Sequence, residues 1–217
     1  TWIARRIKQQ ILEEIHLTCS AGVSFNKFLA KIASDEDKPD GLFVITPEKA
    51  PEFLDNLAVR KIPGVGKVTQ ARLKKLGIEY GHHLLQQSEA FLVEHFGKMG
   101  SYLYSIIRGH DPRPVIPERE CKSISAENTF ATDFLYGQEL QEELRQICQH
   151  LVKRLEKQSM SGKTLTLKIK FHDFQQITRS ITHIHDFQTE AEIFTTAQEK
   201  LRSVCAEEFP QKPIRLL

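Results

Sequence analysis

The sequence predicts a multi-domain α+β fold, and three observations lead to that prediction. Residues 47–110 combine helical apolar spacing with short glycine turns and contain no strand pattern. Residues 111–120 contain three prolines among mixed charges, a composition typical of an extended linker. Residues 121–217 follow the order strand, helix, strand, strand, helix, strand. This order is the split βαβ plan, in which one sheet carries both helices on the same face.

The first 46 residues form a smaller mixed segment. Apolar spacing predicts a helix that ends near Ile15 and a second helix over 26–34, each followed by a short strand. Thr46, as an N-cap, and Pro47, at the first helical position, then predict the start of the next helix. The chain begins with Thr1 inside a helical pattern and ends as a strand begins. We therefore expect a segment of a longer protein whose last strand is truncated.

Composition narrows the class of protein. Of the 217 residues, 40% are hydrophobic and 27% are charged, which is ordinary for a globular protein. No apolar run approaches the ~20 residues that a membrane-spanning helix needs. The four cysteines lie far apart without a CxxC pair, so we expect reduced thiols rather than a disulfide framework or a zinc knuckle. These observations favour a cytoplasmic protein that makes no membrane contact.

The stretch IPGVGK at residues 62–67 is a glycine turn that opens a helix, and it resembles a helix-hairpin-helix. It lies in an acid-free run from Arg60 to Lys75 that contains six basic residues. Backbone N–H groups at such a turn bind anions, and the glycines let a phosphate approach the main chain closely. The alternative is an ordinary tight turn beside a solvated basic face. We predict sequence-independent DNA contacts at seven residues of this hairpin and of a second one at 96–100: Gly64, Val65, Gly66, Lys67, Gly97, Lys98 and Gly100.

The second strand of the C-terminal pattern alternates strictly between apolar and polar residues. Its apolar side chains, from Leu165 to Phe171, are expected to face the helices, and its hydroxyl and lysine side chains the opposite way. The alternative to a DNA surface is a sheet face that is merely solvated. We predict DNA-backbone contacts at three residues of this strand and at two residues of the strand predicted over 122–131: Thr166, Lys168, Lys170, Lys122 and Ser123.

Eleven positions carry a resemblance to a known family: Gly22, Asn26, Lys27, Leu29, Ala30, Lys31, Ala33, Ser34, Lys38, Pro39 and Gly41. They match the G–NK–LAK–AS–KP–G signature of Y-family, translesion DNA polymerases. With the hairpin, the proline-containing linker and the final βαββαβ unit, the resemblance covers essentially the whole chain. It implies the end of a palm at 1–46, a thumb at 47–110, a linker at 111–120 and a little finger at 121–217. It also implies that primer-template DNA is bound and that Lys38 contacts the triphosphate of the incoming dNTP.

The same resemblance implies a Mg²⁺-dependent polymerase that binds a sliding clamp, but the motifs for both are not found here. Two-metal phosphoryl transfer needs paired carboxylates, and no acidic motif in this chain matches those of the family. The acids near Lys38, which lie between Asp35 and Asp40, are interpreted as solvated. We therefore predict no catalytic residue and no metal ligand in this chain, and no nucleotide incorporation by the chain alone. His183 and His185 lie two apart on a strand, but no third ligand is close in sequence.

Three classes of function remain open from the sequence. The first is the DNA-gripping portion of a translesion polymerase. The second is a self-contained, non-catalytic repair protein that binds DNA through its helix-hairpin-helix. The third is an interaction module with a ferredoxin-like domain and no nucleic acid. The turn containing Lys38 favours the first over the second, because a simple backbone clamp does not need a triphosphate-binding lysine. The hairpin and the basic strand face favour both over the third.

Overall fold

A computed structural model of the chain describes residues 1–207 and 212–217. The chain divides into two compact units, residues 1–118 and residues 119–217, each with its own hydrophobic core. The α+β fold class predicted from the sequence is confirmed. The finer division of the first unit at residue 46 stays a prediction, because the helices on either side of that residue pack around one continuous core.

The first unit combines a two-stranded parallel sheet with seven helices within its described residues. The strands are β1 (Ala21–Ser24) and β2 (Leu42–Ile45), and residues 59–61 form a single 3₁₀ turn. The helices are α1 (Trp2–Ile15), α2 (Lys27–Glu36), α3 (Ala50–Asp55), α4 (Lys67–Lys75), α5 (Gly81–Leu85), α6 (Glu89–Phe96) and α7 (Lys98–Ile107).

Close backbone packing explains two glycines of the motif between residues 22 and 41. A Cβ on Gly22 would lie 2.2 Å from the Ala30 carbonyl oxygen on α2, and one on Gly41 would lie 1.7 Å from the Asp37 carbonyl oxygen. No side chain fits at either position, so β1 and the turn before β2 can lie directly against α2. Asn26 caps α2 by accepting a 2.9 Å hydrogen bond from the Leu29 amide.

Two predictions for the helical part of the first unit were wrong in detail. The helix expected to start at Thr46 and Pro47 begins at Ala50 instead, after a turn, and carries its proline, Pro51, in its own first turn. The helical apolar spacing of residues 47–110 predicts a buried Val68 on α4, yet this side chain is 76% exposed beside the glycine hairpin. Leu73, on the same helix, is fully buried and supplies the contact that anchors α4.

The second unit is an antiparallel sheet with two long helices, α8 (Gln138–Lys157) and α9 (Glu190–Glu207). Its strands are β3 (Thr129–Phe134), β4 (Thr164–Phe171), β5 (Gln176–Thr182) and β6 (Ile214–Leu216), in the spatial order β3-β6-β4-β5. The predicted βαββαβ order is confirmed. The first strand starts at residue 129 rather than 122, because residues 121–128 are irregular and lie outside the sheet.

The alternation predicted for β4 is confirmed. Leu167, Ile169 and Phe171 are buried in the core formed with α8 and α9. The residues between them point to the opposite face, which no helix in the described part of this unit covers. Both helices therefore pack on one side of the sheet and leave the other side to hydroxyls and lysines.

The residues predicted to form a linker begin as part of the first unit. The Asp111 carboxylate accepts a 3.0 Å hydrogen bond from the Phe28 amide and forms an ion pair with Arg113. The side chain of Asp111 is almost fully buried as a result. The boundary between the compact units falls after Glu118, near the end of the predicted linker. None of the described helices combines the length and apolar character needed to cross a bilayer.

Candidate nucleic-acid interface

The hairpin between residues 62 and 67 presents unbonded amides at the start of α4. Gly66 is the N-cap residue and has no side chain to cap the helix. The first amide with a helical acceptor is that of Gln70, which donates to the Gly66 carbonyl at 2.9 Å. The amides of Lys67, Val68 and Thr69 therefore have no acceptor within residues 1–207 and 212–217 and face solvent with the positive end of the helix dipole. Open amides at a helix N-terminus are an arrangement that suits an anion.

The glycines of this hairpin have different structural roles. Gly64 has a φ of 92°, in the left-handed region that glycine adopts without strain. Gly66 has an ordinary φ of −82°, and a Cβ there would meet no atom within 4 Å. Gly66 is therefore not required by the fold, and its open surroundings leave room for a ligand to approach the backbone. The Tyr102 hydroxyl donates to the Pro63 carbonyl and fastens the hairpin to α7.

The structure corrects the expected role of Val65. Its side chain is buried, and its amide donates a 3.0 Å hydrogen bond to the Ile62 carbonyl. Neither group is free to contact DNA, so Val65 anchors the hairpin to the core. Lys67, in contrast, is exposed at the first position of α4, beside the open amides, and forms no ion pair among the described residues.

The second hairpin offers fewer contacts than predicted. Gly97 and Lys98 are exposed at the start of α7, as a surface contact requires. Gly100 is buried, and a Cβ there would lie 2.0 Å from the Leu92 carbonyl oxygen on α6. The expectation of a DNA contact at Gly100 is therefore withdrawn. Its missing side chain allows α6 and α7 to pack closely instead.

Lys38 lies in the turn between α2 and β2 and is paired with Asp35. Its ammonium nitrogen is 2.5 Å from one oxygen of Asp35, and that of Lys31 is 2.8 Å from the other. Hydrogen bonds from Lys31 and then Lys38 lower the pKa of the Asp35 carboxyl from its ordinary 3.8 to about 2. The Lys38 side chain remains more than half exposed, so an anion can still reach its ammonium group.

We expect Lys38→Met to raise the pKa of Asp35 toward 3.8, because one of its two hydrogen-bond donors is removed. Since the pKa in the folded protein is depressed, the stabilising effect of this cluster is present above about pH 4 and lost as pH falls toward 2. An NMR titration of the Asp35 carboxyl carbon measures the shift. Lys49→Met, at a lysine without an ion pair in the described structure, is the control. An unchanged Asp35 titration in Lys38→Met would show that the pair does not form in solution.

The outward face of the sheet in the second unit is lined by paired hydroxyls. Thr166 Oγ1 lies 2.8 Å from Ser180 Oγ, and Thr164 and Thr182 form the same cross-strand pair. Lys168 is bound to the carboxylate of Glu127, which partly neutralises it. Lys170 has no acidic partner in the described structure, and its ammonium lies 5.1 Å from the centre of the Phe174 ring. The face therefore offers hydroxyl donors and one unpaired cation.

Family models, related sequences and a solved structure all match this chain, and the related sequences align with 99–100% of it. Models of the impB/mucB/samB family match residues 1–35 and, for its C-terminal domain, residues 121–217, and the IMS family HHH motif matches residues 47–78. DNA polymerase IV of Bacteroides fragilis (strain YCH46) is 46% identical over 215 residues, and that of Alkalilimnicola ehrlichii is 43% identical over 217 residues. A solved Y-family DNA polymerase chimera of Dbh and Dpo4 superposes with a TM-score of 0.83 at 26% identity.

The chain belongs to the Y family of DNA polymerases. It covers 58% and 60% of the lengths of the two polymerase IV relatives, and 99% and 100% of it is matched by them. The matched chimera is covered to 61%, with 99% of this chain aligned. The Y-family chain therefore spans less than two thirds of the length of each of these three proteins.

The acids of the Y-family chain near Lys38 do not fit a two-magnesium centre. Paired carboxylates must be free to share two ions, whereas three of these acids each form an ion pair with lysine. The lysine partners are Lys31 and Lys38 for Asp35, Lys61 for Glu36 and Lys8 for Asp40. No other cluster of acids in the described part of the Y-family chain offers such a site.

Sequence reasoning missed two residues on the sheet face of the Y-family chain. Phe174, in the β4–β5 turn, is 63% exposed and has a positive φ of 65°. Arg215, on β6, holds its guanidinium 5.1 Å from the same ring and pairs with Asp133 at 3.6 Å. The aromatic Phe174 in a turn between two strands was the signal available in the sequence. Its two cationic neighbours, Lys170 on β4 and Arg215 on β6, are far apart in sequence and meet only in the folded sheet. Lys122 and Ser123 are exposed and lie in the irregular segment before β3, and their contact with DNA stays a prediction.

Proposed function

We propose that this chain is the DNA-gripping portion of a translesion DNA polymerase. It binds the backbone of primer-template DNA without sequence preference, and Lys38 contacts the triphosphate of the incoming dNTP. The observation that carries the proposal is the row of three open amides beyond the exposed Gly66. Phosphate contacts made by backbone amides position DNA but do not distinguish its bases.

Each unit contributes its own candidate surface. In the first unit, Gly97 and Lys98 add an exposed second turn to the hairpin. In the second unit, Thr166, Lys168 and Lys170 share the sheet face with Phe174 and Arg215. Hydroxyl and cationic side chains are the groups that most often bind phosphate oxygens. Lys122 and Ser123 are exposed in the segment before β3 and are proposed as further contacts of this unit.

The remaining proposals concern the whole enzyme. The relatives are DNA polymerases, so we propose that the whole enzyme uses Mg²⁺ for nucleotide transfer. The ligands of this Mg²⁺ are proposed to be residues other than the acids near Lys38. A sliding clamp is proposed as a partner of the whole enzyme, and the cytoplasm as its location. The alternative of a self-contained, non-catalytic repair protein is less favoured, because polymerase IV relatives align along the full chain and not only at the hairpin.

The decisive experiment is the substitution Gly66→Ala. The added Cβ meets no protein atom within 4 Å, so stability should be kept, while the approach of a phosphate to the open amides is blocked. A lost hydrogen bond to a charged group is worth about 1.5–3 kcal/mol. We therefore expect duplex affinity, measured by fluorescence anisotropy on labelled primer-template DNA, to fall by about tenfold or more.

Gly162→Ala is the matched control, because a Cβ at that glycine of the second unit also meets nothing within 4 Å. Its affinity should equal that of the unmodified protein. The loss in Gly66→Ala should also be the same on duplexes of unrelated sequence. Unchanged binding by a folded Gly66→Ala variant, or a loss on one sequence only, would contradict the proposed backbone clamp.

A further inference from the structure

Three potential metal ligands converge at the end of β5. His183 and His185 follow the strand, and Glu192 lies in the first turn of α9. One ligand atom from each of the three side chains lies within 4.8 Å of the other two. Glu192 Oε1 is 3.4 Å from His183 Nδ1 and 3.3 Å from His185 Nε2. The third ligand that the sequence did not reveal is therefore present.

The two nitrogen–oxygen distances match those between neighbouring ligands of a tetrahedral ion. Zinc binds imidazole nitrogen and carboxylate oxygen at about 2.0–2.1 Å, which places adjacent tetrahedral ligands about 3.3 Å apart. A cation bound by Glu192 Oε1 and the two imidazole nitrogens would replace both histidine–carboxylate contacts. The carboxylate could keep its present distance from the two rings. Two imidazoles and one carboxylate also form a recurring three-residue ligand set for zinc that leaves one position open.

Neighbouring groups hold the three ligands in place. The ring of His183 packs against Phe187, with centroids 4.5 Å apart, and its amide donates to the Lys163 carbonyl. The second oxygen of Glu192 accepts a 2.9 Å hydrogen bond from the Gln188 amide, which leaves Oε1 directed at the histidines. Partners of this kind orient metal ligands and raise metal affinity.

We propose that His183, His185 and Glu192 form a binding site for a divalent transition-metal ion of the zinc class. His183 and Glu192 are about one-quarter exposed and His185 is two-thirds exposed, so water can reach the fourth coordination position. The ion joins the end of β5 to the first turn of α9. Imidazole ligands favour such ions over Mg²⁺, which takes oxygen ligands. This site is separate in sequence and chemistry from the carboxylate centre that a polymerase reaction requires.

Isothermal titration of the tag-free chain with ZnCl₂ tests the proposal. We expect one zinc per chain and no comparable binding of Mg²⁺. His185→Ala should weaken zinc binding by at least about tenfold, since even loss of an outer-shell partner typically costs 10- to 100-fold. The exposed His185 side chain makes few packing contacts, so this variant should remain folded. His150→Ala, at an exposed histidine of α8, is the matched control and should bind as the unmodified chain does.

Cobalt substitution identifies the ligands. With Co²⁺ we expect visible d–d bands without the near-ultraviolet absorption of cobalt–thiolate bonds, which excludes the four cysteines. The bands should disappear in both His183→Ala and Glu192→Gln. Equal zinc affinity in His185→Ala and the unmodified chain, no zinc binding at all, or a thiolate spectrum would each overturn the proposal.

Discussion

Ile169→Ala is expected to lower the free energy of unfolding of the second unit by about 2–5 kcal/mol, the usual cost of removing a buried isoleucine side chain. Ile169 has no exposed surface, and its side chain points from β4 into the core formed with α8 and α9. The loss combines reduced apolar burial with the cavity that the remaining side chains cannot fill. Hydrogen-exchange mass spectrometry in urea measures it, because amides of β4 report on the second unit alone.

Lys168→Ala, one position earlier on the same strand, is the control. Its side chain points to the opposite face, so the change in unfolding free energy should stay within about 0.5 kcal/mol. If the β4 amides exchanged at similar rates in Ile169→Ala and Lys168→Ala, alternate residues of β4 would not be buried. Since the register of a strand determines which residues reach the core, the comparison tests the orientation of the proposed DNA face as well.

The double substitution Lys168→Ala/Lys170→Ala is expected to reduce the salt dependence of duplex binding. Each phosphate contact contributes about 0.9 to the slope of log affinity against log salt, so losing two contacts lowers it by about 1.8. Residues 121–217 contain 13 basic and 13 acidic residues, so binding must arise from charge separation and not from net charge. Anisotropy titrations at salt concentrations between about 50 and 200 mM would give the slope, because the affinity of protein–DNA complexes changes strongly over this range.

Two further variants sharpen this experiment. Lys153→Ala/Lys157→Ala removes the same charge from α8, on the other side of the sheet, and should leave the slope unchanged. Glu127→Gln frees Lys168 from its carboxylate partner and should strengthen binding. If the first pair of substitutions leaves the slope unaltered, the sheet face is not a DNA surface and is merely solvated. If both lysine pairs reduce it equally, the attraction is general and not confined to this face.

Much of the architecture follows from short-range patterns. The strict alternation from Thr164 to Phe171 predicts both the strand and the side that is buried, because side chains of a strand point to opposite faces in turn. Glycine turns at 62–67 and 96–100 predict helix starts, because few other residues permit such backbone conformations. The motif between Gly22 and Gly41 identifies the family from sequence alone. The reason for these two glycines is tertiary, because a Cβ on either would lie 2.2 Å or less from a backbone oxygen of α2 or of its C-cap residue Asp37.

Which side chains meet, in contrast, was decided by the tertiary structure. Gly100 belongs to a hairpin pattern but is buried against α6, and Val65 uses its amide within the hairpin. Lys168 is paired with Glu127, 41 residues earlier, and Glu192 is brought to His183 and His185 from a separate helix. Periodicity assigns a residue to a face of its own helix or strand. Contacts between elements depend on loop paths and packing, which no local pattern specifies.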